Sequence, residues 1–254
     1  MKLTPLFINH LFAHGLMFGV WLIYKHQKLP MIADVFWSLG IASQGLIYCI
    51  YAKTYPLLLI LLIIWAVRLS SFLYYTRLKK QHLDPRYHSI EASTEKKPEL
   101  TFFINFQIQA LLQFLVASVW FFLSQAPIPL SFNLMSALVV LTGLGIEIHA
   151  DKSLERFKQQ DKGVCQLGLW RYSRHPNYFG ELLIWFGFAI ASSHYLLGIL
   201  GFISPVALFL IMRFVTAPLS ENLSLKHKGN IYAAYQQVTP MIVPYKLFSL
   251  KQVK

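Results

Sequence analysis

The sequence has 254 residues, of which 56% are hydrophobic and only 13% are charged. This composition excludes an ordinary soluble domain, because the apolar residues are also collected in long blocks. The formal net charge of +12 would suit a nucleic-acid-binding protein. However, the positive residues lie in the connections between apolar blocks, a distribution that membrane topology explains, so we expect no nucleic-acid partner.

Seven apolar blocks reach the roughly 20 residues that a membrane-spanning helix requires. In chain order they are 5–24, 31–52, 56–76, 101–124, 130–150, 178–193 and 196–216. The last two are separated by a very short turn and could instead form one helical hairpin. Lys2 is the only basic residue before the first block. A cleavable signal peptide usually has a more basic N-terminal region, so we expect none here. We predict an all-α, polytopic integral membrane protein with about seven transmembrane helices.

The connections between the blocks alternate in charge. Those after the first, third, fifth and seventh blocks hold nearly all lysines and arginines, whereas the opposite side has only Lys2 and Lys53. The positive-inside rule therefore places the N-terminus outside and the C-terminus in the cytoplasm. The long cytoplasmic connections are 77–100 and 151–177. In the tail from Pro218, residues 219–235 are expected to form a short helix at the membrane surface.

The stretch 168–187 begins as a basic, aromatic turn and continues as an apolar helix. Pro176 suits the first position of that helix, and Asn177, Glu181 and Trp185 share one face because they are four residues apart. A carboxylate one turn inside a membrane helix is costly and usually functional. Cations just before the start of a helix favour the binding of an anion there. In this stretch those residues are Arg171, Arg174 and His175. The stretch predicts a site for a phosphate-bearing cofactor at the membrane surface.

Other polar residues cluster near the predicted cytoplasmic ends of the apolar blocks. Glu147 and Asp151 are four residues apart, and Lys158 follows on the same face. A second stripe runs along the third block through Arg68, Ser71 and Tyr75, and Asp34 enters from the same side. A purely structural interpretation pairs Asp34 with Arg68, and Glu147 with a loop lysine. Their convergence at one depth favours a single cavity that opens to the cytoplasm.

Metal chemistry has little support in the sequence. His10 and His14 share a helix face, but no third ligand accompanies them. The two cysteines, Cys49 and Cys165, have neither a disulfide pattern nor a metal-binding spacing. We therefore expect no metal site.

The segment RYSRHPNYFGE at 171–181 resembles the C-terminal signature of the steroid 5α-reductase superfamily, in its bacterial branch. Shorter matching segments occur in the expected order: DVFW at 34–37, Trp65 with Arg68, DPRY at 84–87, the end of the fifth block at Asp151, and PLSEN at 218–222. The resemblance implies an integral protein of the bacterial inner membrane whose cofactor site faces the cytoplasm. It also implies that NADPH is used to reduce a carbon–carbon double bond conjugated to a carbonyl, in a steroid-like or isoprenoid lipid.

The resemblance also implies roles for individual residues. Asn177 and Glu181 would hydrogen-bond the carboxamide end of the nicotinamide, and Tyr178 would line the same cavity. The residues implied around the ribose and phosphates, in the motif turn and in the tail are Asp151, Lys158, Arg171, Arg174, His175, Glu221 and Tyr232. The implied organisation is one membrane reductase domain, 1–254, with substrate-side helices in 1–100 and cofactor-binding helices and tail in 101–254.

The substrate side departs from the superfamily pattern, because the Gln-Glu pair expected on the second helix is missing and Trp65 stands at the nearest third-helix position. The candidate groups for polarising the substrate oxygen are Asp34 and Tyr75, with Arg68 beside them. Two other functions stay open. Membrane methyltransferases that use S-adenosylmethionine carry a run similar to Arg174–Gly180, and a lipid-binding or transport protein is the third alternative. The expected partners are the lipid bilayer and a hydrophobic small molecule; the sequence does not indicate an oligomeric state.

Overall fold

The computed structural model describes residues 3–50, 56–80, 87, 98–160 and 163–245. Within these ranges the regular elements are all helices: α1 (Thr4–Gln27), α2 (Ile32–Ile50), α3 (Pro56–Leu73), α4 (Pro98–Leu123), α5 (Leu130–Gln160), α6 (Pro176–Ser192), α7 (Ile203–Ile211) and α8 (Ala217–Val238). Short 3₁₀ turns lie at Gly168–Arg171 and Leu196–Phe202, and π-helical segments at Tyr74–Leu78 and Met212–Thr216.

Six helical stretches of the described chain are long and apolar enough to cross a membrane. They are Thr4–Gln27, Ile32–Ile50, Pro56–Leu78, Pro98–Leu123, Leu130–Gln160 and Leu196–Val238. The remaining apolar helix, α6, has 17 residues. The prediction of an all-α membrane protein with about seven apolar helices is confirmed, whereas the side of the membrane on which each terminus lies stays a prediction.

The last predicted block differs in detail from a single regular helix. It contains a 3₁₀ turn, the short helix α7 and a π-helical segment before α8 begins. The tail helix is also longer than the predicted 219–235, and it is interrupted at Gly229, whose φ is 52° and ψ is −131°. Glycine tolerates this left-handed backbone because it has no Cβ.

The chain forms two compact units. The first unit comprises Met1–Ala137 and Phe188–Ala207, and the second comprises Leu138–Gly187 and Leu208–Lys254. α4 packs mainly on α1 and α2, and so belongs to the first unit. The functional division into substrate-side helices in 1–100 and cofactor-binding helices in 101–254 stays a prediction.

Polar groups connect the helices of the first unit. The Ser38 and Ser70 hydroxyls lie 2.6 Å apart between α2 and α3. Gln113 Nε2 on α4 donates to the carbonyl of Phe36 at 3.2 Å. A Cβ at Gly40 would lie only 2.5 Å from Gln113 Oε1. Small residues and interhelical hydrogen bonds of this kind hold helices together where lipid removes the hydrophobic driving force.

The second unit depends on a close backbone contact between α5 and α6. A Cβ at Gly180 would lie 2.7 Å from the Gly143 carbonyl oxygen and 2.7 Å from the Glu147 backbone nitrogen. A Cβ at Gly143 would in turn lie 2.6 Å from the Gly180 carbonyl oxygen. Because neither glycine has a side chain, the two backbones touch. This contact brings the acidic face of α5 against the first turns of α6.

Candidate functional site

An acidic site lies where α5 and α6 meet in the second unit. Glu147, Asp151 and Glu181 are buried, with 4%, 4% and 5% of their surfaces exposed. Asn177 Nδ2 donates to Asp151 Oδ1 at 3.2 Å, and Trp185 Nε1 donates to Glu181 Oε1 at 2.9 Å. The structure thus brings together three of the predicted cofactor-binding residues: Asp151, Asn177 and Glu181.

One hydrogen-bond acceptor of this site has no donor among the described residues. Asn177 Oδ1 is buried and accepts no hydrogen bond from any described residue. A buried acceptor without a donor costs free energy, about 1–3 kcal/mol, unless a ligand or water satisfies it. With carboxylates beside it, the position favours a ligand group that presents N–H donors and disfavours a phosphate. We call Asp151, Asn177 and Glu181 the acidic site.

Arg174 takes part in a different set of contacts. Its Nε and Nη2 donate to the two Glu221 carboxylate oxygens at 2.7 and 3.1 Å. Its Nη1 donates to the carbonyls of Gln236 at 2.9 Å and Thr239 at 2.6 Å. These bonds use four of the five N–H donors of a guanidinium. Arg174 therefore ties the motif turn to α8 and has little capacity left for a phosphate.

His175 joins the same network. Its Nε2 lies 3.1 Å from Glu221 Oε1, and its ring stacks on Tyr178 with the centroids 4.9 Å apart and the planes at 13°. Gln236 Nε2 donates to Glu221 Oε2 at 2.7 Å. The carboxylate of Glu221 thus orients His175, and through it Tyr178, which is adjacent to Asn177 in the chain. The predicted cofactor ligands Arg174, His175 and Glu221 contact one another.

Further bonds from the tail hold the turn before α6. Tyr235 OH donates to the carbonyls of Trp170 and, at 3.2 Å, Ser173. The backbone N–H of Arg174 donates to the Pro240 carbonyl at 2.9 Å. Tyr232 is buried and packs edge-to-face on Tyr235, with centroids 5.9 Å apart. We did not predict Tyr235 and Gln236 from the sequence, although Tyr232, Tyr235 and Gln236 share the three- and four-residue spacing of one helix face.

The remaining predicted cations of the second unit are on the surface. Arg171 is exposed, and Lys158 Nζ pairs with Glu155 Oε1 on the same helix at 3.0 Å. Cys165 is buried against Ala150 and Trp170. Burial raises the pKa of the Cys165 thiol above its ordinary value, which disfavours a nucleophilic thiolate and indicates a packing role.

In the first unit, Asp34 forms an ion pair that the sequence analysis did not predict. Asp34 Oδ2 lies 2.6 Å from Arg77 Nη1, and Tyr87 OH donates to Asp34 Oδ1 at 2.8 Å. Arg77 belongs to the π-helical segment at the end of α3. Both Asp34 carboxylate oxygens thus contact other side chains of the first unit. Residues 84–86 of the DPRY segment lie outside the described residues.

Tyr75 and Arg68 differ in their surroundings. Tyr75 is 58% exposed, and Lys79 Nζ lies 5.4 Å from the centroid of its ring. Arg68 is partly buried, with its guanidinium carbon 5.3 Å from the centroid of the Phe72 ring. The catalytic roles of Asp34, Tyr75 and Arg68 stay predictions.

Among the described residues, no group of three or more histidine, cysteine, aspartate or glutamate side chains is placed to hold a metal ion. His14 Nδ1 lies 2.7 Å from Gln107 Oε1, and its ring meets that of His10 edge-to-face, with centroids 4.6 Å apart. The pair therefore contributes to the packing of α1 against α4.

Two comparisons relate this chain to known proteins. The profile of a family described as "Protein of unknown function (DUF1295)" matches residues 20–239. The steroid 5α-reductase DET2 of Gossypium hirsutum is 37% identical over 60 residues, which cover 22% of this chain and 23% of that enzyme. The match to the plant enzyme thus spans less than a quarter of its length. Because the family profile covers most of the sequence, this chain belongs to the DUF1295 family, and the partial match supports its relation to the steroid 5α-reductase superfamily.

Proposed function

We propose that this protein is a membrane reductase that uses NADPH to reduce a carbon–carbon double bond conjugated to a carbonyl, in a hydrophobic steroid-like or isoprenoid lipid. The observation that carries the proposal is the buried, unsatisfied Asn177 Oδ1 beside the Asp151 carboxylate. The family membership and the partial match to a plant steroid 5α-reductase support the reductase class.

The acidic site fits the nicotinamide end of the cofactor. A carboxamide presents two N–H donors and one carbonyl acceptor. Asn177 Oδ1 is available to accept one of those donors, and the carboxylates of Asp151 and Glu181 provide further acceptors at the same helix contact. When bound, NADPH supplies the hydride for such a reduction.

The protein's own residues position and shield that end of the cofactor. Trp185 donates to Glu181 and so fixes the direction of the carboxylate. The Arg174–Glu221 ion pair holds the turn from which α6 begins, and His175 orients the Tyr178 ring. Arg171, exposed beside the same turn, is the cation that we assign to the phosphates, because four of the five N–H donors of Arg174 are already used.

The methyltransferase alternative rests on the same segment. Buried carboxylates would also accept the ammonium group of S-adenosylmethionine and stabilise its sulfonium charge. The partial match is to a reductase, and this favours NADPH. The two cofactors differ in their reactive ends, so a binding comparison distinguishes them.

The experiment is a thermal-unfolding measurement on the detergent-purified protein with NADPH or S-adenosylhomocysteine. A ligand present at 100 times its Kd stabilises the folded state by about 2.7 kcal/mol. We expect a rise in Tm with NADPH, a smaller rise in Asn177→Ala and Glu181→Gln, and an undiminished rise in Asn230→Ala, whose residue is exposed on α8. Stabilisation by S-adenosylhomocysteine and none by NADPH would overturn the proposal in favour of the methyltransferase.

A further inference from the structure

Three buried polar side chains of the first unit carry atoms that have no hydrogen-bond partner among the described residues. They are Gln44 and Tyr48 on α2 and Trp120 on α4, with 0%, 0% and 3% of their surfaces exposed. The atoms concerned are Gln44 Oε1, the Tyr48 hydroxyl and Trp120 Nε1. Polar groups left unpaired inside a membrane protein are costly, because the bilayer core offers no water to replace the missing partner. These three atoms therefore favour a ligand that pairs with them.

The three side chains lie at one contact between α2 and α4. Gln44 and Tyr48 are four residues apart and share a face of α2, and Gly45 precedes Tyr48 by three. A Cβ at Gly45 would lie 3.3 Å from Trp120 Cδ2 and 3.4 Å from Trp120 Cε2. Because Cε2 is bonded to Nε1, the indole N–H lies beside the same turn of α2. We call Gln44, Tyr48 and Trp120 the neutral polar cluster.

Apolar side chains surround this cluster. The Trp120 ring packs on Phe188 with the centroids 5.2 Å apart, and the Tyr48 ring packs on Phe121 with the centroids 5.9 Å apart. Both phenylalanines are buried. Tyr48 and Trp120 also lie close to the ends of their helices, which are Ile50 and Leu123. Tyr and Trp side chains are enriched at this level of a bilayer, where amphipathic lipids carry their polar groups.

We propose that the neutral polar cluster binds the hydroxyl group of a hydrophobic lipid alcohol, either a sterol or an isoprenoid alcohol. The hydroxyl oxygen accepts hydrogen bonds from Trp120 Nε1 and the Tyr48 hydroxyl, and the hydroxyl hydrogen is donated to Gln44 Oε1. The carbon skeleton takes the place of a fourth polar partner and faces apolar surroundings. The site is independent of the proposed reductase function.

The hydrogen-bonding capacity of the cluster selects a hydroxyl group. The cluster offers two donors, from Tyr48 and Trp120, and one acceptor, Gln44 Oε1. An alcohol oxygen accepts two hydrogen bonds and donates one, so every group of the cluster gains a partner. A ketone or an ether would use both donors but would leave Gln44 Oε1 unpaired.

Other polar groups match the cluster less well. A water molecule has a second O–H, which finds no further acceptor in the cluster, whereas an alcohol has carbon in that position. The N–H and C=O of a trans amide point in opposite directions, so one amide does not serve both the donors and the acceptor at a single contact. A charged group would be buried without a counter-charge from the cluster.

The test uses two photoreactive probes, a diazirine derivative of cholesterol and a diazirine derivative of farnesol, on the protein reconstituted in lipid nanodiscs. We expect one of them to label α2 and α4 in peptides that contain 44–48 or 116–123, and the probe that labels identifies the lipid class. The unmodified alcohol should displace the probe at a concentration about fivefold lower, or more, than its methyl ether, which has no O–H for Gln44. Labelling of neither segment, or equal displacement by alcohol and ether, would overturn the proposal.

Variants of the cluster test the individual hydrogen bonds. Gln44→Leu removes the acceptor and should abolish the preference for the alcohol over the ether. Tyr48→Phe removes a donor that both ligands use, so it should weaken the alcohol and the ether alike. Gln109→Leu is the matched control on α4, because Gln109 Nε2 already donates to Asn105 Oδ1 at 2.8 Å, and it should keep the wild-type preference. An undiminished preference in Gln44→Leu would contradict the assignment.

Thermal unfolding separates binding from folding. In delipidated protein, Tyr48→Phe removes an unpaired hydroxyl and should not lower the Tm. Added alcohol should raise the Tm of the wild type more than that of Tyr48→Phe, since only the folded state binds it. A lower Tm of Tyr48→Phe in the absence of alcohol would show that the hydroxyl has a structural partner, and would overturn the proposal.

Discussion

If the acidic site binds the nicotinamide carboxamide, the protein must discriminate between cofactors that differ only in that group. In the 3-acetylpyridine analogue of NADPH a methyl group replaces the amide N–H₂, so no donor reaches Asn177 Oδ1. The wild-type protein should therefore bind this analogue more weakly than NADPH. In Asn177→Ala the acceptor is removed, and the discrimination should disappear.

The magnitude follows from the burial of that oxygen. Asn177 Oδ1 is buried and without a donor among the described residues. Leaving such an atom unsatisfied costs about 1–3 kcal/mol, equivalent to a discrimination of about 5- to 150-fold in Kd. The thionicotinamide analogue keeps the N–H₂ group and should bind like NADPH, which separates the hydrogen bond from any general sensitivity to ring chemistry.

The assay is equilibrium binding of each reduced cofactor to the purified protein, followed through the nicotinamide fluorescence or by competition. Four Kd values, for two proteins and two cofactors, form a thermodynamic cycle whose coupling free energy is the predicted 1–3 kcal/mol. Asn230→Ala is the matched control and should keep the wild-type ratio. Equal binding of NADPH and the acetyl analogue by the wild type would refute the assignment of Asn177 to the carboxamide.

Three further predictions concern stability and topology. Gly180→Ala places a Cβ 2.7 Å from two backbone atoms and should destabilise the protein by about 1–3 kcal/mol. The control Gly145→Ala, whose Cβ would have no atom within 4 Å, should not lower the Tm. Equal Tm values for the two variants would contradict the close contact between α5 and α6. Glu221→Gln leaves the buried Arg174 charge uncompensated and should cost about 3 kcal/mol in chemical unfolding. Glu155→Gln, at a partly exposed glutamate paired with an exposed lysine, should cost at most about 1 kcal/mol, and equal losses in the two variants would contradict a structural role for the Arg174–Glu221 pair. A fused reporter enzyme that is active only on the non-cytoplasmic side of the membrane should be active in 126–129 and inactive after Gly229. The opposite pattern of activity would reverse the predicted topology.

The part of the site that depends on local spacing was predictable from the sequence. Asn177, Glu181 and Trp185 were expected on one helix face because they are four residues apart, and in the structure Trp185 donates to Glu181. The polar edge of α5 at Asp151 was also expected near the cytoplasmic end of an apolar block, and Asn177 contacts it. Regular helix geometry carries this information.

The role of Arg174 was not predictable in this way. Its partners Glu221, Gln236 and Thr239 lie 47 to 65 residues further along the chain. The sequence indicates only that a cation precedes a helix start, a position that suits a phosphate and an internal ion pair equally well. The packing of α8 against the turn decides between them.

The partner of Asp34 depended on an irregular helix. Arg77 lies within the π-helical segment Tyr74–Leu78, whose extra residue per turn rotates the following side chains relative to a regular α-helix. Reasoning with 3.6 residues per turn places Arg68, Ser71 and Tyr75 on one stripe, with Asp34 entering from the same side, and therefore indicates Arg68 as its partner. The glycine contact between Gly143 and Gly180 was missed for another reason, because a single glycine in an apolar helix does not indicate which helix it faces.

A density map of the protein with NADPH bound tests the central claim most directly. We predict that the nicotinamide carboxamide lies within hydrogen-bonding distance of Asn177 Oδ1, between the Asp151 and Glu181 carboxylates, with the Arg174–Glu221 ion pair intact. A map in which the dinucleotide lies elsewhere, or in which Asn177 Oδ1 faces acyl chains, would contradict the account.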